Sequence, residues 1–108
     1  MAETQGQGWL LRVFTHPACA GCSTAVRLAW EAAEEHREVK FRTVRLENKE
    51  GLAEAQAEGI KTIPTIILGT AGEELERWIG APEPGQVATA LERLAVEGQA
   101  VEGQPARA

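Results

Sequence analysis

The sequence predicts one α/β domain whose elements follow the order β-α-β-α-β-β-α. Its 108 residues, 44% of them hydrophobic, suffice for a single domain with a modest core. Runs of bulky apolar and β-branched residues, such as "WLLRVFT" and "TIPTIILG", are typical of buried strands. Between these runs lie segments with apolar residues at helical spacing, and glycines and prolines mark the boundaries.

The first half of the chain predicts a strand, a helix and a second strand. "WLLRVFT" at Trp9–Thr15 forms the first strand, and Pro17 breaks the chain after it. We expect the helix to begin at Cys19 and to end near residue 35. Its apolar residues recur at i, i+3, i+4 and i+7: Val26, Ala29, Trp30 and Ala33. "EVKFRTVRLE" at residues 38–47 predicts the second strand.

The middle of the chain predicts a short helix followed by a hairpin. Asn48 is a capping residue type, and the helix is expected over residues 49–58. "IKTIPTIILG" at residues 60–69 and "EELERWIG" at residues 73–80 are joined by "GTAG", a turn sequence. Because proline lacks an N–H, Pro64 suits the start of the third strand and not its middle.

The ends of the chain differ in composition from the domain. Residues 1–8 are polar and rich in Gly and Gln, and we expect a flexible arm. The last helix is predicted over about residues 83–96, with one apolar face. Residues 97–108 are expected to be a flexible tail, which leaves residues 9–96 as the folded domain.

Charge and hydropathy narrow the classes of partner. The net charge of −5 comes without a basic stripe, so nucleic acid is not expected as a partner. No apolar run approaches the ~20 residues of a membrane helix, so no membrane partner is expected. The start, "MAETQGQGW", lacks the pattern of a secretory signal, which predicts a cytoplasmic location. In that compartment a CxxC pair is typically redox-active or metal-binding.

The sequence "CAGC" holds both cysteines, Cys19 and Cys22. On the first turn of a helix, unpaired N–H groups and the helix dipole favour thiolate over thiol. The thiolate is the attacking species in disulfide exchange. This predicts Cys19 as the nucleophile and Cys22 as the resolving thiol. His16 adds positive charge nearby if it is protonated, and Gly21 leaves room for a partner's backbone.

A metal site is the alternative interpretation of the same motif. A closed zinc site needs about four ligands, and His16 is a candidate third beside the two thiols. "CAGC" also fits the core of the heavy-metal-associated domain loop, M-x-C-A-x-C. Pro17 replaces its Met, however, and the element order of that domain is βαββαβ. A metal carrier therefore stays an alternative, as does an interaction module without turnover.

Segments outside the motif favour the redox interpretation. "VFTHPACAGC", "KTIPT" and "ERWIGAPEPGQVATALERL" follow one another at a characteristic order and spacing. In these segments the chain resembles the thioredoxin-like superfamily in its small, glutaredoxin-sized form, over residues 9–96. The resemblance implies a four-stranded mixed central sheet with three helices.

The resemblance also implies a role for each site residue. Cys19 attacks and Cys22 resolves, while Pro64 is a cis-proline beside the disulfide. Ile63 offers its backbone N–H and C=O to an extended substrate strand, and Gly80 keeps the floor of the groove flat. His16, next to the motif, is predicted to be a further substrate-binding residue.

Two departures from the family pattern concern the motif and its proton acceptor. Thioredoxins place a Trp before the first cysteine, where this chain has Ala18. They also carry a buried Asp six residues before that cysteine, where this chain has Val13. The proton acceptor for Cys22 is therefore unassigned, with water and Glu58 as the candidates.

The predicted function is that of a cytoplasmic thiol–disulfide oxidoreductase without an organic cofactor. Its expected substrates are a disulfide-containing protein or a low-molecular-weight thiol. A thiol or flavoprotein reductase is expected as the electron donor. Missing basic residues near the motif favour a reductant over a strong oxidant.

Overall fold

The computed structural model describes residues 9–70 and 73–103. The strands are β1 (Trp9–Thr15), β2 (Val39–Arg45), β3 (Thr65–Gly69) and β4 (Glu74–Ile79). The helices are α1 (Cys22–Glu34), α2 (Lys49–Ala57) and α3 (Gln86–Gly103). The predicted element order and the α/β fold class are therefore confirmed.

The four strands form one mixed sheet in the order β2-β1-β3-β4. β1 and β2 are parallel, and α1 makes the crossover between them. β1 and β3 are antiparallel, as are β3 and β4, which form the predicted hairpin. Every residue of β3 is buried, as its continuous apolar run predicts.

One face of the sheet carries the larger core and packs against α1 and α3. Strand residues such as Leu11 and Ile66 contribute to it, as does Leu91 of α3. The residues of this core that α1 contributes are small: Ala25, Ala29, Ala32 and Ala33. The prediction that Trp30 lies on this apolar face is wrong, because its side chain is 49% exposed. One residue beyond Ala29, it is rotated by about 100° around the helix.

The opposite face packs against α2 through a smaller cluster. This cluster consists of Phe14, Val44, Ala55 and Ile67. Gly51 lies where the first turn of α2 passes over the end of β2. A Cβ atom at this position would overlap the carbonyl oxygen of Arg45. Glycine is therefore what allows α2 to lie this close to the sheet.

The bounds of the last helix differ from those predicted. α3 begins at Gln86, after a Gly85 with φ of +82°, three residues later than the predicted start. It continues to Gly103, because the predicted tail begins with residues that tolerate helix. The predicted arm (1–8), residues 71–72 of the turn and residues 104–108 lie outside the described residues. Within the described ranges, no helix is both long and apolar enough to cross a membrane.

An ion-pair network runs across the face that α2 covers. Three arginines lie in one row on strands β2, β1 and β4: Arg42, Arg12 and Arg77. Glu54 of α2 accepts hydrogen bonds from the first two of them, at 2.7 Å each. Glu58 binds Arg12 at 2.8 Å, and Glu74 binds Arg77 at 2.9 Å. Arg42 and Arg12 hold the pKa of the Glu54 carboxyl below its usual value, since they bond to its charged form.

We expect Glu54→Gln to lower the free energy of unfolding by about 1–2 kcal/mol at pH 7. A depressed pKa in the folded state means that the stabilisation is complete above the pKa of a free glutamate, about 4.3. It is lost as the pH falls through the folded-state pKa. Urea unfolding of both proteins at about pH 7 and pH 3 measures the difference.

Glu31→Gln provides the control, because Glu31 pairs with Arg27 at 3.6 Å with both side chains exposed. We expect it to change stability by no more than a few tenths of a kcal/mol. An equal loss of stability for Glu54→Gln at both pH values would contradict the ionic role of Glu54.

Candidate active site

Three segments of the chain meet at one end of the sheet. The strand register places Phe14 of β1 beside Thr65 of β3, and Thr65 beside Ile79 of β4. The cysteine loop (residues 16–21) follows β1, Pro64 precedes β3, and Gly80 follows β4. Because these three strand ends are neighbours, the segments attached to them come together although they are far apart in sequence.

Gly21 lies at the point where the three segments approach each other. A Cβ atom there would be 3.9 Å from Pro64 Cδ and 4.0 Å from Ala81 Cβ. Its backbone is right-handed helical, with φ of −92°, so no backbone strain requires glycine. What glycine provides is space between the cysteine loop and the two other segments. Ala81 was not predicted as a site residue, although its position beside Gly80 could have indicated it.

Cys19 and Cys22 are joined by a disulfide across a Cα–Cα distance of 5.4 Å. The prediction that the helix begins at Cys19 is wrong: α1 begins at Cys22, with Gly21 as its N-cap. The first helical hydrogen bond runs from Ala25 N–H to the Gly21 carbonyl, at 3.1 Å. Glycine is a poor helix former, and Pro17 supplies no N–H, so the intervening residues form turns.

The two cysteines differ in their exposure to solvent. Cys22 is 4% exposed, whereas Cys19 is partly exposed in the turn before α1. The disulfide nevertheless holds the Cys19 sulfur against the first residue of α1, where the N–H groups of the helix begin. An external reagent therefore has better access to Cys19 than to Cys22, and Cys19 is the cysteine predicted to attack.

Pro64 lies beside the cysteine loop, Ile63 precedes Pro64 in the chain, and Gly80 is hydrogen-bonded to Pro64. The Ile63–Pro64 peptide bond is cis, and Pro64 is buried. The Ile63 side chain packs on the smaller core cluster, which fixes the backbone on either side of it. Gly80 has a φ of +91°, and its N–H donates to the Pro64 carbonyl at 2.8 Å. This bond joins two of the segments directly.

His16 is bound into the turn that leads to Cys19. Its ring Nδ1 accepts a hydrogen bond from the Ala18 N–H at 3.0 Å, and its carbonyl accepts one from the Cys19 N–H at 3.0 Å. In this geometry Nδ1 is the acceptor, so the ring is tied to the backbone of the turn. A positive charge on His16 beside the thiolate stays a prediction.

The structure also shows the surroundings of Val13, which replaces the family's buried Asp, and of Glu58, a candidate proton acceptor for Cys22. Val13 is fully buried in the larger core and has no proton to exchange. Glu58 binds Arg12 on the face of the sheet that α2 covers, whereas α1, which carries Cys22, packs on the other face. Glu58 and the Cys22 thiol, for which Glu58 is a candidate proton acceptor, therefore lie on opposite sides of the sheet.

The model resembles known structures over most of its length. Thioredoxin O2 from Arabidopsis thaliana, in the oxidized state, matches with a TM-score of 0.72 at 16% identity, covering 82% of this chain and 76% of its own. Thioredoxin 1 from the thermophilic eubacterium Thermosipho africanus matches with a TM-score of 0.72 at 16% identity, over 83% and 98%. Thioredoxin from Trypanosoma brucei brucei matches at 28% identity with a TM-score of 0.69, over 81% and 74%.

These likenesses define the class of protein by its fold. The chain has the thioredoxin fold, and the resemblance to the thioredoxin-like superfamily is confirmed at that level. No protein-family model matches the sequence, and neither does any curated protein. Neither the disulfide nor these comparisons support the metal-carrier alternative.

We expect iodoacetamide to modify Cys19 much faster than Cys22 in the reduced, folded protein, since Cys22 is almost completely buried. Peptide-mass mapping after a timed reaction measures both rates. The same reaction in urea is the control, and there both cysteines should react. Faster labelling of Cys22 in the folded protein would contradict the assignment of the two roles.

Proposed function

We propose that this protein is a thiol–disulfide oxidoreductase that reduces or exchanges disulfides through a reversible Cys19–Cys22 disulfide. The observation that carries the proposal is the pairing of a partly exposed with a buried cysteine across CxxC, beside Pro64, in a thioredoxin fold. The chemistry needs no organic cofactor.

The reaction consists of two substitutions at sulfur. In the reduced protein, the Cys19 thiolate attacks one sulfur of a substrate disulfide, which forms a mixed disulfide and releases the other substrate sulfur as a thiolate. The Cys22 thiol loses its proton to solvent, and its thiolate attacks the Cys19 sulfur. This step closes the Cys19–Cys22 disulfide and releases the second substrate sulfur. The substrate gains two electrons, and its two thiolates take up two protons from solvent.

The start of α1 favours the first step. N–H groups at the start of a helix stabilise a thiolate, and a lower thiol pKa increases the fraction that can attack at neutral pH. Cys19 lies just before this helix end, and its sulfur reaches the first helical residue. Because Cys22 is buried behind it, Cys22 enters the reaction only after Cys19 has formed the mixed disulfide.

The neighbouring segments form the proposed substrate groove. Ile63 offers its backbone N–H and C=O to an extended substrate strand, a form of β-augmentation. The packed Ile63 side chain and the Gly80–Pro64 hydrogen bond support this role, because they fix the backbone there. Gly80 adds no side chain to the floor. The exposed Ile79, 67% accessible at the end of β4, gives this end of the sheet an apolar rim.

The partners follow from the chemistry. The substrate is a disulfide-containing protein or a low-molecular-weight thiol in its oxidised form. A thiol or flavoprotein reductase returns two electrons to the Cys19–Cys22 disulfide and completes the cycle. We also propose a cytoplasmic location, because a CxxC pair that serves redox chemistry is typical of that compartment.

Cysteine variants test the two-step reaction, with insulin reduction by dithiothreitol as the assay. We expect Cys19→Ser to abolish the acceleration over dithiothreitol alone, because it removes the nucleophile. When pre-reduced Cys22→Ser is mixed with insulin in the absence of dithiothreitol, we expect it to remain covalently linked to insulin, because no second cysteine resolves the mixed disulfide. Non-reducing electrophoresis detects this adduct. Equal insulin reduction by wild type and Cys19→Ser would contradict the proposed function.

Substitutions of Gly21 test the groove. We expect Gly21→Leu to raise the KM for insulin, because its side chain fills the space between the cysteine loop, Pro64 and Ala81. Gly21→Ala is the control: its Cβ meets both neighbours at ordinary contact distance, so its KM should stay near that of the wild type. An unchanged KM in Gly21→Leu would place the substrate elsewhere.

A further inference from the structure

His16 accepts hydrogen bonds from two backbone N–H groups that follow it in the turn, those of Ala18 and Cys19. Pro17 has no N–H. The Ala18 N–H donates to the His16 Nδ1 at 3.0 Å, and the Cys19 N–H donates to the His16 carbonyl at 3.0 Å. One residue, through its ring and its backbone, therefore determines the path of the chain into Cys19.

The ring bond matters most when the disulfide is open. In the oxidised protein, the bond between the two sulfurs holds Cys19 against the start of α1. Reduction removes this covalent link. The hydrogen bonds of the turn then remain to keep Cys19 near the helix N-terminus, and the His16 ring supplies one of them.

We propose that His16 is a positioning residue that holds the reduced Cys19 at the start of α1 through its Nδ1 hydrogen bond to Ala18. The ring acts by geometry, with Nδ1 as the hydrogen-bond acceptor, and not by supplying positive charge. This assignment differs from the substrate-binding role predicted for His16. It rests on the proposed function, because it concerns the reactivity of the same sulfur.

Three substitutions of His16 distinguish the effect of the hydrogen-bond acceptor from the effect of the ring's size. His16→Ala and His16→Phe both remove the acceptor, and Phe retains a ring. His16→Asn retains an acceptor, because an Asn side-chain oxygen can bond to the N–H two residues further on, as in an Asx-turn. The readout is the rate at which iodoacetamide modifies Cys19 in the reduced protein, measured between about pH 5 and pH 10, a range that brackets the pKa of Cys thiols.

We expect the Ala and Phe variants to react about three- to tenfold more slowly than wild type at neutral pH, the factor that one net hydrogen bond corresponds to. Their Cys19 pKa should rise, because a loosened turn lets the thiolate move away from the helix N-terminus. The Asn variant should recover the wild-type rate and pKa. Heteronuclear NMR of the wild type should find the His16 proton on Nε2.

Three results would overturn the proposal: wild-type reactivity in the Phe variant, an Asn variant as slow as Phe, or a neutral His16 with its proton on Nδ1. The comparison of Asn with Phe decides the matter even where the Ala variant fails to fold. Alkylation needs no substrate turnover. If wild type fails to reduce insulin, the proposed function fails, while the alkylation rates still test the role of His16.

Discussion

The hydrogen-bonded register of β1, β3 and β4 is the constraint on which the site depends. It places Phe14, Thr65 and Ile79 side by side, at the strand ends whose adjoining segments approach one another at Gly21. A slip of one residue between β1 and β3 would exchange the faces of Ile66 and Ile67, which belong to different core clusters. Two buried clusters therefore maintain the register.

The same architecture makes the two sulfurs unequal. α1 packs its small residues closely on the sheet, and its first residue, Cys22, is thereby buried. Cys19 lies before the helix in a turn that stays open to solvent, and Gly21 keeps the space beside it free. A stepwise exchange reaction needs this inequality, because one sulfur must meet the substrate first and the other must wait for the mixed disulfide.

Much of the fold could be predicted from the sequence, because strands with continuous β-branched runs, such as β3, have a clear local signature. The CxxC motif and the segment around Pro64 also have a local sequence signature, and they therefore indicated the site. The start of α1 was mispredicted, because Ala18 and Ala20 favour a helix although α1 begins only at Cys22, after Gly21. The bond from Ala18 to the His16 ring depends on one turn's geometry, which composition does not encode. The row of arginines arises only from strand register.

We propose that Cys19 and Cys22 form a redox-active pair and not a structural disulfide. The reduction potential of the pair, measured by equilibration with glutathione and dithiothreitol buffers, tests this most directly. We expect a value between about −300 and −150 mV, where thioredoxins and glutaredoxins lie. A disulfide that stays closed well below about −300 mV, as structural disulfides do, would contradict the central claim. A value above about −150 mV would contradict the expected direction, that of a reductant.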